Sequence, residues 1–453
     1  MRGRARFGVV EYGKYEPLAQ AIAADAHLRL SEAQELLLGA GERARALLGL
    51  EALPLSLRAG GMRFEGVAGV FLLAPEMELE VAPKFLGNAK GWREDFFLIA
   101  TLDHHGRLLD EEGVRASASA SSDLFTLIGR SFVGMYWRSH RRPLRTYRRQ
   151  VVTEFSLDGD CDALDLLLPS EDGFGQDVTT FTRANSFNAV IGAAARRLAP
   201  LVSDPETRTR LDRVAQHLPR QPLPRRVEDR VLPSRARAWQ PVHDLAVDIL
   251  ATLGGTYDNG RALAPGFLLK TWQAWQSLVS VGLRSAFGAA LVTAQELHVL
   301  GRRFRPDGAD ESVEVRPDNI VRRARGPLVI DAKYKGNVAH GPTAVSKADL
   351  YEGLAFAKAA GAAEVILAYP RRPSDSSLAL AAAPPGATAE EKAEQGWVGT
   401  HREFTRIEAD GVTLRGVEFG VRGISRPHGL RAFGLSFKDY VAGLPAPAAC
   451  AAA

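Results

Sequence analysis

A chain of 453 residues, with 57 basic and 53 acidic side chains and a formal charge of +4, is long enough for roughly two to four domains. Its charge balance alone says little about nucleic acid. A hydrophobic fraction of 46% is ordinary for a soluble protein, and no segment approaches the roughly 18 uninterrupted apolar residues of a membrane span. Cys161 and Cys450 lack metal-ligand spacing, which excludes a zinc finger or a disulfide framework and fits a reducing cytoplasm. The start, Met1-Arg2-Gly3-Arg4-Ala5-Arg6, is basic without the apolar core of a signal peptide.

In chain order, Ser31 and the Ala/Leu/Glu/Arg-rich sequence after it predict a helix over 31–50. Strands are expected at 52–58, 62–74 and 77–84, making residues 1–100 a β-rich module. Residues 101–239 read as mainly helical, with a strand near Val151–Leu157 and a helix from about Asn185 to Leu201. Within them, 138–149 read R-S-H-R-R-P-L-R-T-Y-R-R, placing Arg138, Arg141, Arg142, Arg145, Arg148 and Arg149 in one basic run. Arginine forks match phosphate geometry, so the run is a candidate nucleic-acid footprint; a solvated surface segment is the alternative. Pro/Arg-rich sequence at 219–237 reads as a linker. A third section follows over 240–440, and 441–453 ends in an Ala/Pro-rich tail expected to be disordered. The expected class is α+β and multidomain.

The third section carries the chemistry. Leu268 to Phe287 shows helical spacing through Trp272, Trp275, Val279 and Leu283. Residues 313–335 then read V-E-V-R-P-D-N-I-V-R-R-A-R-G-P-L-V-I-D-A-K-Y-K. Two β-branched runs separated by Arg323-Ala324-Arg325-Gly326-Pro327 predict a hairpin. Centred near Arg325, it sets Asp318 opposite the Asp331/Ala332 level. Side chains alternate along a strand, so Asp331 and Lys333 share one face, while Ile330, Ala332 and Tyr334 take the other. Two carboxylates and an ammonium then converge, as needed to hold a divalent metal and polarise a water. A solvated face with a cross-strand ion pair is the competing reading. Leu328-Val329-Ile330 argues against it, because acids and lysines in a buried strand are rare unless paired or ligating. Beyond the hairpin, Ser346 caps a helix to about Lys358, Gly361 ends it, Val365–Tyr369 form another strand, and strands follow near 397–407 and 412–420.

This order of elements, with Pro317-Asp318 and Asp331-Ala332-Lys333, resembles the PD-(D/E)xK nuclease superfamily. D-A-K-Y-K followed by A-D-L-Y-E-G-L-A-F-A, together with G-V-F-L-L-A-P-E-M-E-L-E-V-A-P-K-F from Gly69 to Phe85, resembles the McrC family more narrowly. McrC proteins are the nuclease subunits of McrBC-type modification-dependent restriction systems. The resemblance is firm at 65–100 and 268–370. The family's Phe-Glu pair is matched here by Trp275-Gln276, and its Gln and Tyr four apart by Glu352 and Phe356.

What the resemblance implies is a restriction-endonuclease-like core with Asp318, Asp331 and Lys333 catalytic. Mg²⁺, or Mn²⁺ in its place, would sit on Asp318, Asp331, the Ala332 carbonyl and Gln276. Glu314 and Glu352 are secondary candidates, Glu314 being read first as a surface strand residue; Lys335 is expected to touch DNA phosphate. Tyr334 reads as core and Asp349 as a helix-start acid. The chain has no G-x-x-x-x-G-K-[ST] loop. By resemblance the energy source is a separate McrB-like AAA+ GTPase ring acting on double-stranded DNA, with residues 1–240 as the docking part and Lys84 as a candidate contact. The runner-up is a non-catalytic adaptor that stimulates the partner's hydrolysis, and a third reading is a solitary repair nuclease.

Overall fold

The computed structural model describes residues 5–58, 61–74, 76–89, 91–100, 102, 123–223, 231–252, 266–305, 310–334, 345–373 and 387–444. In chain order the elements begin with β1 (Ala5–Val10), α1 (Leu18–Ala26), α2 (Leu30–Leu48), β2 (Leu55–Arg58), β3 (Gly61–Phe64), β4 (Val67–Ala74), β5 (Met77–Ala82) and α3 (Trp92–Ala100). Next come α4 (Leu124–Ser139), β6 (Thr146–Glu154), β7 (Asp160–Cys161), α5 (Ala163–Leu167), β8 (Phe174–Thr182), α6 (Ser186–Leu198), α7 (Pro205–His217) and α8 (Gln240–Thr252). The chain continues with β9 (Gly266–Lys270), α9 (Thr271–Phe287), β10 (Val292–Ala294), β11 (His298–Phe304), β12 (Asp310–Val315), β13 (Asn319–Arg323) and β14 (Gly326–Ala332). It ends with α10 (Lys347–Ala360), β15 (Glu364–Pro370), α11 (Ala389–Glu394), β16 (His401–Ala409), β17 (Val412–Phe419) and α12 (Gly429–Ala442).

Two compact units result, one of 1–124 with 255–453 and one of Phe125–Gly254. This division differs from the sections expected at 1–100, 101–239 and 240–440. The reason is β9, which pairs antiparallel with β4 and completes a sheet of order β1-β5-β4-β9. The approach depends on Gly69, at φ 130°, where a Cβ would lie 2.0 Å from the Phe267 carbonyl oxygen. Leu268 therefore belongs to a strand, and the helix expected from it begins at Thr271. β4, V-A-G-V-F-L-L-A, is buried almost throughout, as a strand flanked on both edges and covered by α2 requires. The strand expected over 62–74 breaks at Gly66, whose φ of 73° turns the chain between β3 and β4. α2 starts with the Glu32 carboxylate accepting from the Arg29 backbone N–H and guanidinium rather than on a Ser31 cap, and ends at Gly49 in the left-handed conformation.

The same unit holds a six-stranded mixed sheet of order β10-β13-β14-β15-β17-β16. Its middle strands β14, β15 and β17 run parallel, and β15 is buried along its whole length. Phe356 and Ala357 of α10 pack on Val329, Val365, Leu367 and Leu414. α10 is capped as its sequence predicts, with the Ser346 side chain accepting from the Asp349 N–H and Gly361 in the left-handed region.

The second unit contains α6, α7, α8 and most of α4, with the three-stranded sheet β6-β8-β7. α8 falls here rather than in the third section. Among the described residues, no helix is long and apolar enough to cross a membrane.

A candidate active site at the open end of a hairpin

β13 and β14 pair from Asn319↔Ile330 to Arg323↔Gly326, leaving Ala324-Arg325 as a two-residue turn. That register continues to Asp318 opposite Asp331, the relation that the strand period predicts. The Ala332 N–H donates to Asp318 Oδ2 at 2.9 Å. On Oδ1, Asp318 accepts the Gln276 amide from α9 and the Gln295 amide at 2.7 Å. Asp331 is 3% exposed. Its neighbour on the same face, Lys333, puts Nζ 2.6 Å from Asp331 Oδ2, 2.5 Å from Glu352 Oε2 and 3.9 Å from Asp349 Oδ1. Asp349 in turn accepts from the Tyr369 hydroxyl at 3.2 Å.

Burial first, and the adjacent Asp331 charge second, push the Asp318 carboxyl up to about 7. Burial also raises Asp331, against the nearby Lys333 ammonium. Lys333 is the reverse case: burial opposes its charge, but Asp331 and Glu352 hold it above its ordinary value. Two acids short of counter-charge thus lie beside one firmly protonated lysine. They border a cavity of about 950 Å³ whose wall includes Trp272, Gln276, Ser280, Arg316, Lys333 and Glu352.

Six of the sequence candidates therefore meet: Asp318, Asp331, Ala332, Lys333, Gln276 and Glu352. Glu314 does not. It sits exposed on β12, which pairs with β11 in a separate two-stranded sheet; the chain leaves that ladder at Pro317, where no N–H is available to continue it. Lys335 and Cys450 lie outside the described residues, as does most of the tail expected from 441, although α12 runs through Ala442. Arg138, Arg141, Arg142, Arg145, Arg148 and Arg149 are all exposed in the second unit, and Arg149 is paired with Asp177 at 2.6 Å.

Lys84 is a correction of another kind. It is 8% exposed, with Nζ donating to the Tyr334 carbonyl, so a docking contact through its ammonium is ruled out. Gln295 was missed entirely. It adopts φ 55°, sends its own backbone N–H to the Asp318 carbonyl at 3.1 Å, and carries no sequence signal that distinguishes it from any loop glutamine.

For a hard divalent cation the donor set fits, with one limitation. A buried Asp331 and a half-buried Asp318, both raised chiefly by removal from water, are what such an ion relieves. Among the described residues, however, no group of three or more His, Cys, Asp or Glu side chains is arranged around one point. A cation here would rest on two acids and be completed by neutral oxygens.

Fold and site define an α+β protein whose mixed sheet presents two acids and a lysine at one hairpin end. The chain belongs to the McrBC family: the model described as "McrBC 5-methylcytosine restriction system component" matches residues 62–370. Among solved structures, a chain of the refined half-complex from the tetradecameric assembly of Thermococcus gammatolerans McrB AAA+ hexamers with bound McrC is similar in fold. Its TM-score is 0.64 at 13% identity, covering 96% of this chain and 100% of that one. A chain of the Thermococcus gammatolerans McrBC complex, in a cryo-EM structure, gives a TM-score of 0.46 at 13% identity, covering 61% of this chain and 86% of that one. No curated protein sequence matches.

Proposed function

We propose that the chain is the nuclease subunit of a McrBC-like restriction complex, a metal-dependent endonuclease with a PD-(D/E)xK core. The observation that carries this reading is the convergence of Asp318, Asp331 and Lys333 on one cavity wall. Mg²⁺, with Mn²⁺ as substitute, would be held by Asp318, Asp331, the Ala332 main-chain oxygen and the Gln276 amide oxygen. When bound, the cation acidifies a water and neutralises charge on the phosphate. Lys333, charged and fixed between Asp331 and Glu352, orients the attacking water and stabilises the negative charge that grows on the scissile phosphate.

The partner in this reading is an McrB-like AAA+ GTPase ring, with double-stranded DNA as substrate. It is supported by the missing phosphate-binding loop and by the fold shared with a chain of the assembly of McrB AAA+ hexamers with bound McrC. The second unit also leaves Tyr147, Val151, Phe181, Leu167 and Leu168 exposed, apolar side chains that a partner surface could cover.

The adaptor reading has one observation of its own, the neutral Gln276 at a position where the family carries an acid. Lys333→Ala in the complex with the partner ring separates the two. DNA cutting should vanish while nucleotide hydrolysis persists. Equal cutting by wild type and variant would sink the nuclease assignment.

A further inference from the structure

Two of the stretches that carry the family pattern, 69–85 and the one that opens at Asp331, lie far apart in sequence and meet at Tyr334. Lys84 follows β5, and its Nζ donates to the Tyr334 main-chain carbonyl. The same ammonium lies 4.0 Å from the Tyr334 ring centroid and 5.2 Å from that of Tyr12. Glu11, fully buried, accepts from the Tyr334 hydroxyl, from Thr271 Oγ1 at 2.6 Å and from the Lys84 N–H at 3.3 Å. The Phe85 ring stands edge-on to Tyr334 at 6.0 Å. Tyr334 directly follows Lys333, whose own N–H donates to the Ala368 carbonyl at 2.9 Å. Trp275 Nε1 donates to that same carbonyl at 3.1 Å.

We propose that Lys84, backed by Glu11, is a positioning residue that fixes the end of β14 and thereby the reach of Lys333 toward Asp331. A buried ammonium is expensive, and an apolar side chain of equal length would avoid that cost. Hydrophobic packing therefore does not account for Lys84, whereas the carbonyl that it holds does. Main-chain atoms on both sides of the Lys333 side chain are pinned, one by Ala368 and the other by Lys84. The lysine can then meet both Asp331 and Glu352 without first paying the entropy of a free strand end. Because Glu11 and Lys84 follow closely on β1 and β5, the sheet that holds those strands braces the strand end that carries Lys333.

The inference rests on the nuclease reading for its catalytic consequence and on geometry alone for the rest. Its test uses the full chain with its partner ring and two variants, Lys84→Met and Glu11→Gln. In both, hydrogen exchange at the Lys333 amide should quicken. The kcat for DNA cutting should fall, on the order of a hundredfold for Lys84→Met, while KM for DNA stays within about twofold. Wild-type exchange at Lys333 in both variants, or a loss confined to KM, overturns the proposal. If wild type itself never cuts, the nuclease reading fails by that result. The exchange measurement then decides by itself whether Lys84 holds the strand end.

Discussion

The Gln276 side-chain nitrogen donates to Oδ1 of Asp318, in the place where the family pattern sets an acid. Gln295 donates to the same oxygen at 2.7 Å, so two neutral amides brace one half-buried carboxylate that already faces another. These two bonds offset part of the cost of taking Asp318 out of water beside Asp331, whose own charge is met by Lys333.

Gln276→Glu would replace a donor by an acceptor beside Asp318 and Asp331. Without divalent cation the variant should lose stability, by about 1–3 kcal/mol, the penalty of a buried polar group left without its partner. Millimolar Mn²⁺ should return more than that loss, since a third carboxylate strengthens a hard-cation site. Thermal melts with and without Mn²⁺ check both halves. Identical melting of variant and wild type in each condition would remove Gln276 from the site.

Asp95, on α3, is buried and accepts the Gly423 N–H at 2.7 Å, the Ser425 N–H at 2.9 Å and the Ser425 hydroxyl at 2.6 Å. It thereby ties the N-terminal part of the first unit to the loop leading into α12. Asp95→Ala strands three donors, and about 3 kcal/mol of stability should go with them. Urea unfolding should show a lower midpoint at unchanged slope; a shift under one tenth of the wild-type midpoint would contradict it.

The hairpin was readable from sequence because its signals are local. β-branched runs and Gly326-Pro327 define the turn, and the period of two then puts Asp331 and Lys333 on one face without further information. What escaped was set by distant partners. Lys84 and Tyr334 are 250 positions apart, so nothing near Lys84 reveals that its ammonium is buried. β9 looked like the start of a helix because Phe267 and Leu268 suit either structure, and only the open edge of β4 decides. Helical spacing also gives direction but not depth: Trp275 is fully buried, whereas Trp272, on the first turn of α9, is 44% exposed and lines the cavity.

Burial raises Glu11 from its ordinary 4.5 to about 7, the bonds from Thr271 and Tyr334 and the Lys84 charge offsetting only part of that effect. Lys84, Tyr334, Thr271 and the nearby Tyr12 are the polar groups that face it. A folded value above the unfolded one means that the group favours folding below pH 4.5, and that this contribution is lost as pH rises through 7. Glu11→Gln has no such titration. The stability of wild type relative to Glu11→Gln should therefore decline between pH 4.5 and 7. Parallel denaturation curves for the two proteins over that range would show that Glu11 is not held up by burial.

Gly282 lies where α9, the helix that delivers Gln276, meets α12. A Cβ there would stand 2.8 Å and 2.9 Å from two ring atoms of Phe433, and one on Gly434 would stand 2.6 Å from the Gly282 carbonyl oxygen. Gly282→Ala sets two effects against each other. Helix propensity favours alanine by roughly 1 kcal/mol, while overpacking a tight core costs about 1–3 kcal/mol. Phe433 is fully buried and lies 5.9 Å from Trp275, centroid to centroid, so the ring has little room to retreat and the clash should win. The variant is expected to melt lower than wild type, and Phe433→Leu in the same chain should recover part of the difference, since the two sites are in direct contact. A Gly282→Ala protein that melts higher than wild type would mean that the helices can separate here, and that the placement of Gln276 does not depend on their close approach.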